Sequence, residues 1–299
     1  MFELWIGMMD PGKQKPLVGV SLMLEPEFAS ASLPLFENEE IEIAEWSFDM
    51  LWTDRPCPDW MDAVLDTYAE AGRLLGHGVT YSMFTAGADG RADEWCRKLR
   101  SECECRKYRH ITEHFGFMLG GDFHRGAPLP MPFLPEILEL GRLRLAALSV
   151  SAGAPIGLEN LAFAFCERDV REQGNFLRAL LSPIDGFVLL DLHNIYCQSF
   201  NFGVPAEQLI AGYPLELVKE LHLSGGSWSE AAGVTVRRDT HDNPVPSELF
   251  PLLKFALKEC PKVEAVILEQ LGNTLAGSDA QASFRSDFRK IADIVHEHS

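Results

Sequence analysis

At 299 residues, 46% hydrophobic and 23% charged, the chain has a globular enzyme's composition and can bury a core without disulfides or a structural metal. Its formal net charge of -18 repels phosphate backbones, which argues against nucleic acid as a partner and favours metal cations or basic peptides. No apolar run reaches membrane-spanning length, the Met-Phe-Glu-Leu-Trp start lacks a basic signal region, and seven cysteines without framework spacing point to a reducing cytoplasm.

In chain order, short apolar runs alternate with amphipathic stretches. Strands are predicted at Leu17–Met23, Ile41–Trp46, Val79–Phe84, His110–His114, Ile156–Glu159, Phe187–Asp191, Val218–His222 and Val263–Glu269. Helical patterns fall at Asp59–Leu75, Ala92–Cys103, Leu134–Val150, Val170–Leu181, Ser247–Glu259 and Gln281–His296. The stretch after the first strand, with Pro26 and Pro34, reads as poorly helical. Alternation of this kind predicts an α/β fold, a single (β/α)8 TIM-type barrel occupying residues 1–299. Gly225-Gly226-Ser227 reads as a loop within one unit, not as a domain boundary.

Ionisable residues terminate the later strands. The fourth ends Thr112-Glu113-His114, the fifth Leu158-Glu159-Asn160, the sixth Leu190-Asp191-Leu192-His193-Asn194, the seventh Glu220-Leu221-His222 and the eighth Leu268-Glu269. The loop after the seventh carries Asp239-Thr240-His241-Asp242. In a parallel barrel these ends converge on one face, where catalytic groups gather. Charges that follow runs of Ile, Leu and Val are desolvated, and a metal ion is one way to neutralise them. Imidazole and carboxylate together suit iron, manganese or zinc. In an extended segment Asp239 and His241 point to one side, as do residues at any alternate spacing. Cys103 and Cys105 are spaced poorly for zinc and read as structural.

These motifs resemble a known family. Thr-Glu-His-Phe, Leu-Glu-Asn, Leu-Leu-Asp-Leu-His-Asn-Ile-Tyr, Leu-His-Leu-Ser-Gly and Asp-Thr-His-Asp-Asn-Pro-Val-Pro, in that order, are similar to the multinuclear non-heme iron-dependent oxidative enzymes. That family includes the oxazolone-forming subunit of methanobactin biosynthesis and the thiaglutamate-pathway peptide oxidase. The resemblance runs from about Ile111 to Glu269 and takes in His124-Arg125-Gly126 and Asn201-Phe202-Gly203. It implies a xylose-isomerase-like barrel with metal ligands at His114, Glu159, Asp191, His222, Asp239, His241 and Glu269, and with Glu159 central enough to bridge. His193 and Asn194 are further ligand candidates on the same ground. Glu45 and His124 are assigned to the catalytic surroundings, Glu45 as support for a histidine ligand and His124 near substrate. Asn160 and Asn201 are assigned to substrate binding. The implied cofactors are a cluster of about two or three irons with dioxygen as co-substrate. The implied substrate is a cysteine in a ribosomally made precursor peptide, delivered by a small leader-binding partner protein.

The first third departs from the family pattern. Leu24-Glu25-Pro26-Glu27-Phe28 offers no histidine where the family has one. His77-Gly78-Val79 matches a family ligand segment in letters, but a strand at Val79–Phe84 puts His77 at the far end of the barrel and Ser82 or Met83 at the ligand position. His77 is therefore either a turn residue after a helix or a further metal ligand. Two other readings stay open: a zinc or manganese barrel isomerase or hydrolase of a small molecule, and a non-catalytic metal-binding subunit.

Overall fold

The computed structural model describes residues 15–52, 57–87, 90–120, 123–231 and 233–298. Eight parallel strands close into a barrel: β1 (Leu17–Leu22), β2 (Ile43–Trp46), β3 (Leu74–Gly78), β4 (Ile111–His114), β5 (Ile156–Glu159), β6 (Phe187–Asp191), β7 (Val218–Leu223) and β8 (Ala265–Leu268). Closure is made at β1, where Leu17 pairs with Ala265 of β8 and Gly19 with Ile43 of β2. Helices α1 (Pro26–Glu37), α2 (Asp59–Glu70), α3 (Arg91–Cys105), α4 (Pro135–Ala152), α5 (Glu167–Leu181), α6 (Leu192–Phe202), α7 (Ala206–Ala211), α8 (Leu249–Glu259) and α9 (Ser278–His298) lie between and after the strands. The barrel is the architecture that alternating strand and helix patterns predict. Among the described residues, no helix is long and apolar enough to cross a membrane.

Two cores result. Side chains between the strands and the helical ring, such as Val18, Val20, Leu158, Leu190 and Leu221, form the large one. Inside the barrel a small plug of Ile43, Leu75, Ala265 and Ile267 fills the lower end. Above that plug the interior turns polar, because inward positions recur every second residue and here carry Glu45, His77, Thr112, His222 and Glu220.

The third strand corrects the sequence reading. β3 is Leu74–Gly78, α2 stops at Glu70, and Val79–Phe84 is a buried connection. The glycines that read as turn signals are demanded by packing. A side chain at Gly76 would meet the Tyr108 ring at 2.9 Å, and one at Gly78 would collide with the Glu113 carboxylate. The connection is held by Asp49, whose carboxylate accepts from the Val79 and Thr80 amides and from the Trp95 indole. α1 is also a correction: Pro26 sits in its first turn, where no amide donor is needed, and Phe28, Ala31 and Leu35 are buried.

Two short hairpins rise from the C-terminal face. One pairs Phe117–Gly120 with Phe123–Leu129 after β4, and the other pairs Trp228–Ala231 with Val234–Arg237 after β7.

Candidate metal centre

Strand ends β3 to β8 bring most of the expected ligands together. Glu159 lies between two histidines, its Oε2 3.6 Å from His77 Nε2 and 3.3 Å from His114 Nε2. Glu159, Asp191 and His222 form a second group whose ligand atoms lie within 4.8 Å of one another. Glu269 joins this group to the loop, its Oε2 3.5 Å from His222 Nδ1 and its Oε1 3.3 Å from His241 Nδ1. His241 Nε2 in turn stands 2.8 Å from Asp239 Oδ1. Thus His77, His114, Glu159, Asp191, His222, Asp239, His241 and Glu269 share one end of the barrel.

The local causes are readable. Asp191 ends β6 and caps α6: its Oδ1 accepts from the Asn194 amide, which fixes the carboxylate. Its other oxygen, Oδ2, is buried and has no hydrogen-bond partner. The Asp239–Asp242 loop alternates as predicted. Thr240 Oγ1 accepts from the Ser227 amide and donates to Asp242 Oδ1 at 2.6 Å, so Thr240 and Asp242 pin the loop while Asp239 and His241 reach the cluster. His241 holds a left-handed backbone with φ 52, and its carbonyl accepts from the Leu271 amide. Such a conformation in a non-glycine residue costs of order 1 kcal/mol or more and is kept where the surroundings impose it.

His77 is the main gain over the sequence reading. Lying near the C-terminal end of β3, it faces the cluster and not the opposite end, and Ser82 is elsewhere, accepting from the Met118 and Leu119 amides. Thr112 Oγ1 lies 2.8 Å from His77 Nδ1 and donates to the Gly76 carbonyl. The hydroxyl proton being used there, Nδ1–H donates to Thr112 and Nε2 is left as the basic atom facing Glu159.

His193 has a different place. Arg237 can only donate, so His193 Nε2, 3.1 Å from the guanidinium, accepts. Nδ1 therefore carries the proton and donates to Asp239 Oδ1 at 3.0 Å. Both ring nitrogens are committed, so His193 orients Asp239 and is not brought to the cluster as a ligand. Asn194 donates to Glu159 Oε1 at 3.0 Å and to the Asn160 carbonyl. Asn160 spends its carboxamide on the Asp191 backbone, and Asn201 spends its own on the backbone of Arg237. Glu45 is wholly buried, its Oε2 3.1 Å from His222 Nε2. His124 pairs with Leu119 in the first hairpin, and its side chain lies outside the described residues.

Electrostatics follow from crowding these groups in a desolvated space. Burial, then the neighbouring Asp239, pushes the Asp191 carboxyl up to about 7, and burial with Asp191 raises Glu159 well above the carboxylate range. Burial likewise lowers His77 and His114 to about 4, so both are neutral and basic at neutral pH. For His222 and His241 burial works the same way but is outweighed, by Glu45 and its neighbours in one case and by Asp239 and Glu269 in the other, and both are raised. The same pairing holds Asp239 and Glu269 low against their own burial. His222 and His241, both shifted toward the charged form, thus lie against these carboxylates where a cation would sit. The donor set of imidazoles and carboxylates, the spacing and the free Asp191 oxygen all fit divalent metal.

Sequence reasoning passed over Thr112, His110, Glu220 and Arg237. The signal was present: His110, Thr112 and His114 alternate along β4, as Glu220 and His222 do along β7.

Known proteins agree with this architecture. The fold matches a solved structure of the IOLI protein with a bound zinc atom at a TM-score of 0.62, with 13% identity, covering 95% of this chain and 99% of that one. L-ribulose 3-epimerase matches at 0.62 with 11% identity, covering 95% of each chain. At these identities the likeness shows the fold, a xylose-isomerase-like TIM barrel. Sequence relatives include a UPF0276 protein of Caulobacter vibrioides, 27% identical over 258 residues, covering 85% of this chain and 87% of the relative. Another is a UPF0276 protein of Rhizorhabdus wittichii, 28% identical over 204 residues, covering 68% and 71%. Residues 52–286 match the RiPP precursor modification enzymes MbnB/TglH/ChrH, and the chain belongs to that family.

Proposed function

We propose that the protein is an iron- and dioxygen-dependent enzyme that oxidatively modifies a cysteine of a ribosomally made precursor peptide, presented by a small leader-binding partner in the cytoplasm, and that its barrel is one domain. The observation that carries this reading is the cluster of His77, His114, Glu159, Asp191, His222, Asp239, His241 and Glu269 at the barrel mouth of a precursor-modifying family member.

Bound iron would supply open coordination positions for a cysteine thiolate and for dioxygen, and the redox capacity to couple them. The residues of the chain do the rest. His77 and His114 offer neutral imidazoles on either side of the Glu159 carboxylate, and the three together would hold metal there. Asp191 is fixed by its own capping bond and presents Oδ2. Asp239 and His241 close the open side from a loop, with His193 and Arg237 holding the aspartate. The apolar plug beneath excludes water from below, so substrate and dioxygen enter from the hairpin side.

The test is direct. Protein purified from iron-supplemented cells is analysed for iron and incubated in air with a cysteine-containing precursor peptide encoded beside its gene. Iron in the protein, oxygen uptake and a mass change located at the cysteine are expected. A protein that binds zinc or manganese in preference to iron, and leaves the peptide unchanged in air with iron restored, would overturn the reading.

A further inference from the structure

The strongest unexplained feature lies one pleat below the mouth. Glu220 is wholly buried inside the barrel, and its two oxygens are divided between two histidines. His110 Nε2 donates to Oε2 at 2.8 Å, while Oε1 stands 3.4 Å from His222 Nε2. Glu45 Oε2 approaches the same His222 nitrogen at 3.1 Å. A barrel interior is ordinarily filled at this level by branched apolar side chains, and burying an ionised carboxylate costs several kcal/mol even after relaxation. Packing alone does not account for a Glu–His pair there.

Geometry supplies the reason. Carboxylates accept, so the Nε2 flanked by Glu45 and Glu220 carries a proton. That leaves Nδ1 as the atom turned to Glu269, and His222 stands in one group with Glu159 and Asp191. We propose that Glu220, held in place by His110, is the positioning residue that sets the tautomer and ring orientation of His222 so that Nδ1 meets a divalent cation at the barrel mouth. Carboxylate support of a ligating histidine raises its basicity and fixes its ring, and losing it costs roughly ten- to a hundredfold in metal affinity. The inference rests on the metal-centre reading above. His110 extends the arrangement downward: its ring packs on Phe187, centroids 4.7 Å apart, and so fixes where Glu220 can sit.

Cobalt(II) titration of the metal-free protein, followed by its visible absorption, tests this. Glu220→Gln is expected to weaken binding roughly tenfold or more and to alter the cobalt spectrum, and to have no further effect once His222→Ala is present. His110→Phe, which leaves Glu220 unclamped, is expected to act in the same direction and serves if Glu220→Gln does not fold. Wild-type affinity and spectrum in the variant that folds would overturn the proposal, as would an equal loss with and without His222. If cobalt binding to the wild type is insensitive to Asp191→Asn, the metal-centre reading itself fails, whatever Glu220→Gln does.

Discussion

His77 Nε2 lies 3.6 Å from Glu159 Oε2, while Nδ1 of the same ring lies 2.8 Å from Thr112 Oγ1. One nitrogen is thereby assigned to the cluster and the other to the barrel wall. His77→Ala is expected to lower iron content per chain and to leave the fold intact, because the buried ring is tied to the barrel wall through Thr112 while its other nitrogen faces the cluster. Iron analysis beside circular dichroism checks this, and full iron content in His77→Ala would return His77 to a structural role.

Glu159 touches both groups of ligands, so Glu159→Gln should lower iron content more than His77→Ala does. Asn194 keeps its hydrogen bond to the amide oxygen in that variant, and stability should change by less than about 1 kcal/mol. A wild-type metal load in Glu159→Gln would remove the residue from the centre.

Metal binding should release protons, and more of them in mild acid. With its carboxyl at about 7, Asp191 is protonated below that pH and ionised above it, and only the ionised form takes a cation. His222 and His241 are both raised and give up any proton at the ligating nitrogen when a metal binds, whereas His77 and His114, at about 4, are already neutral. Release is therefore larger at about pH 6 than at about pH 8, and affinity rises with pH across that interval. Calorimetry in buffers of different ionisation enthalpy measures it; a release that is constant or grows with pH would contradict the assignment.

His193 separates orientation from ligation. Its removal in His193→Ala leaves Asp239 with His241 as its remaining imidazole partner and takes from Arg237 its histidine acceptor, at an expected cost of roughly 1–3 kcal/mol in the metal-free protein. At saturating iron the variant should still fill to the wild-type level with reduced affinity. Iron loss equal to that of Asp239→Ala would show that His193 binds metal itself.

Most of the barrel was legible because each of the seven strands other than β3 carries Ile, Leu or Val in a short run set between amphipathic stretches. β3 was not: Leu-Leu-Gly-His-Gly carries stop signals, and what makes it a strand is the space Tyr108 and Glu113 leave for no side chain. α6 was missed because it starts directly from Asp191 and buries His193, Asn194 and Gln198, which erase the apolar periodicity. The ionisable residues that gather at the barrel mouth could be picked out from their positions at strand ends. The supporting contacts could not, since Thr112 meets His77 and Glu220 meets His110 across strands distant in sequence, and Arg237 and Asp239, which occupy the two ring nitrogens of His193, come from a segment more than forty residues on.

His222 and Glu45 are 177 positions apart in the chain, and His110 and Glu220 are 110 apart. The eight cluster residues run from His77 on β3 to Glu269 just after β8, and the barrel that holds them closes at the seam where β8 meets β1. A metal held by all eight would therefore report that the ring of strands has shut. The order of the strands along the polypeptide is immaterial to it, so a circular permutant opened in a helix–strand connection on the plug side should still acquire its metal, whereas a chain nicked so that β8 escapes should not.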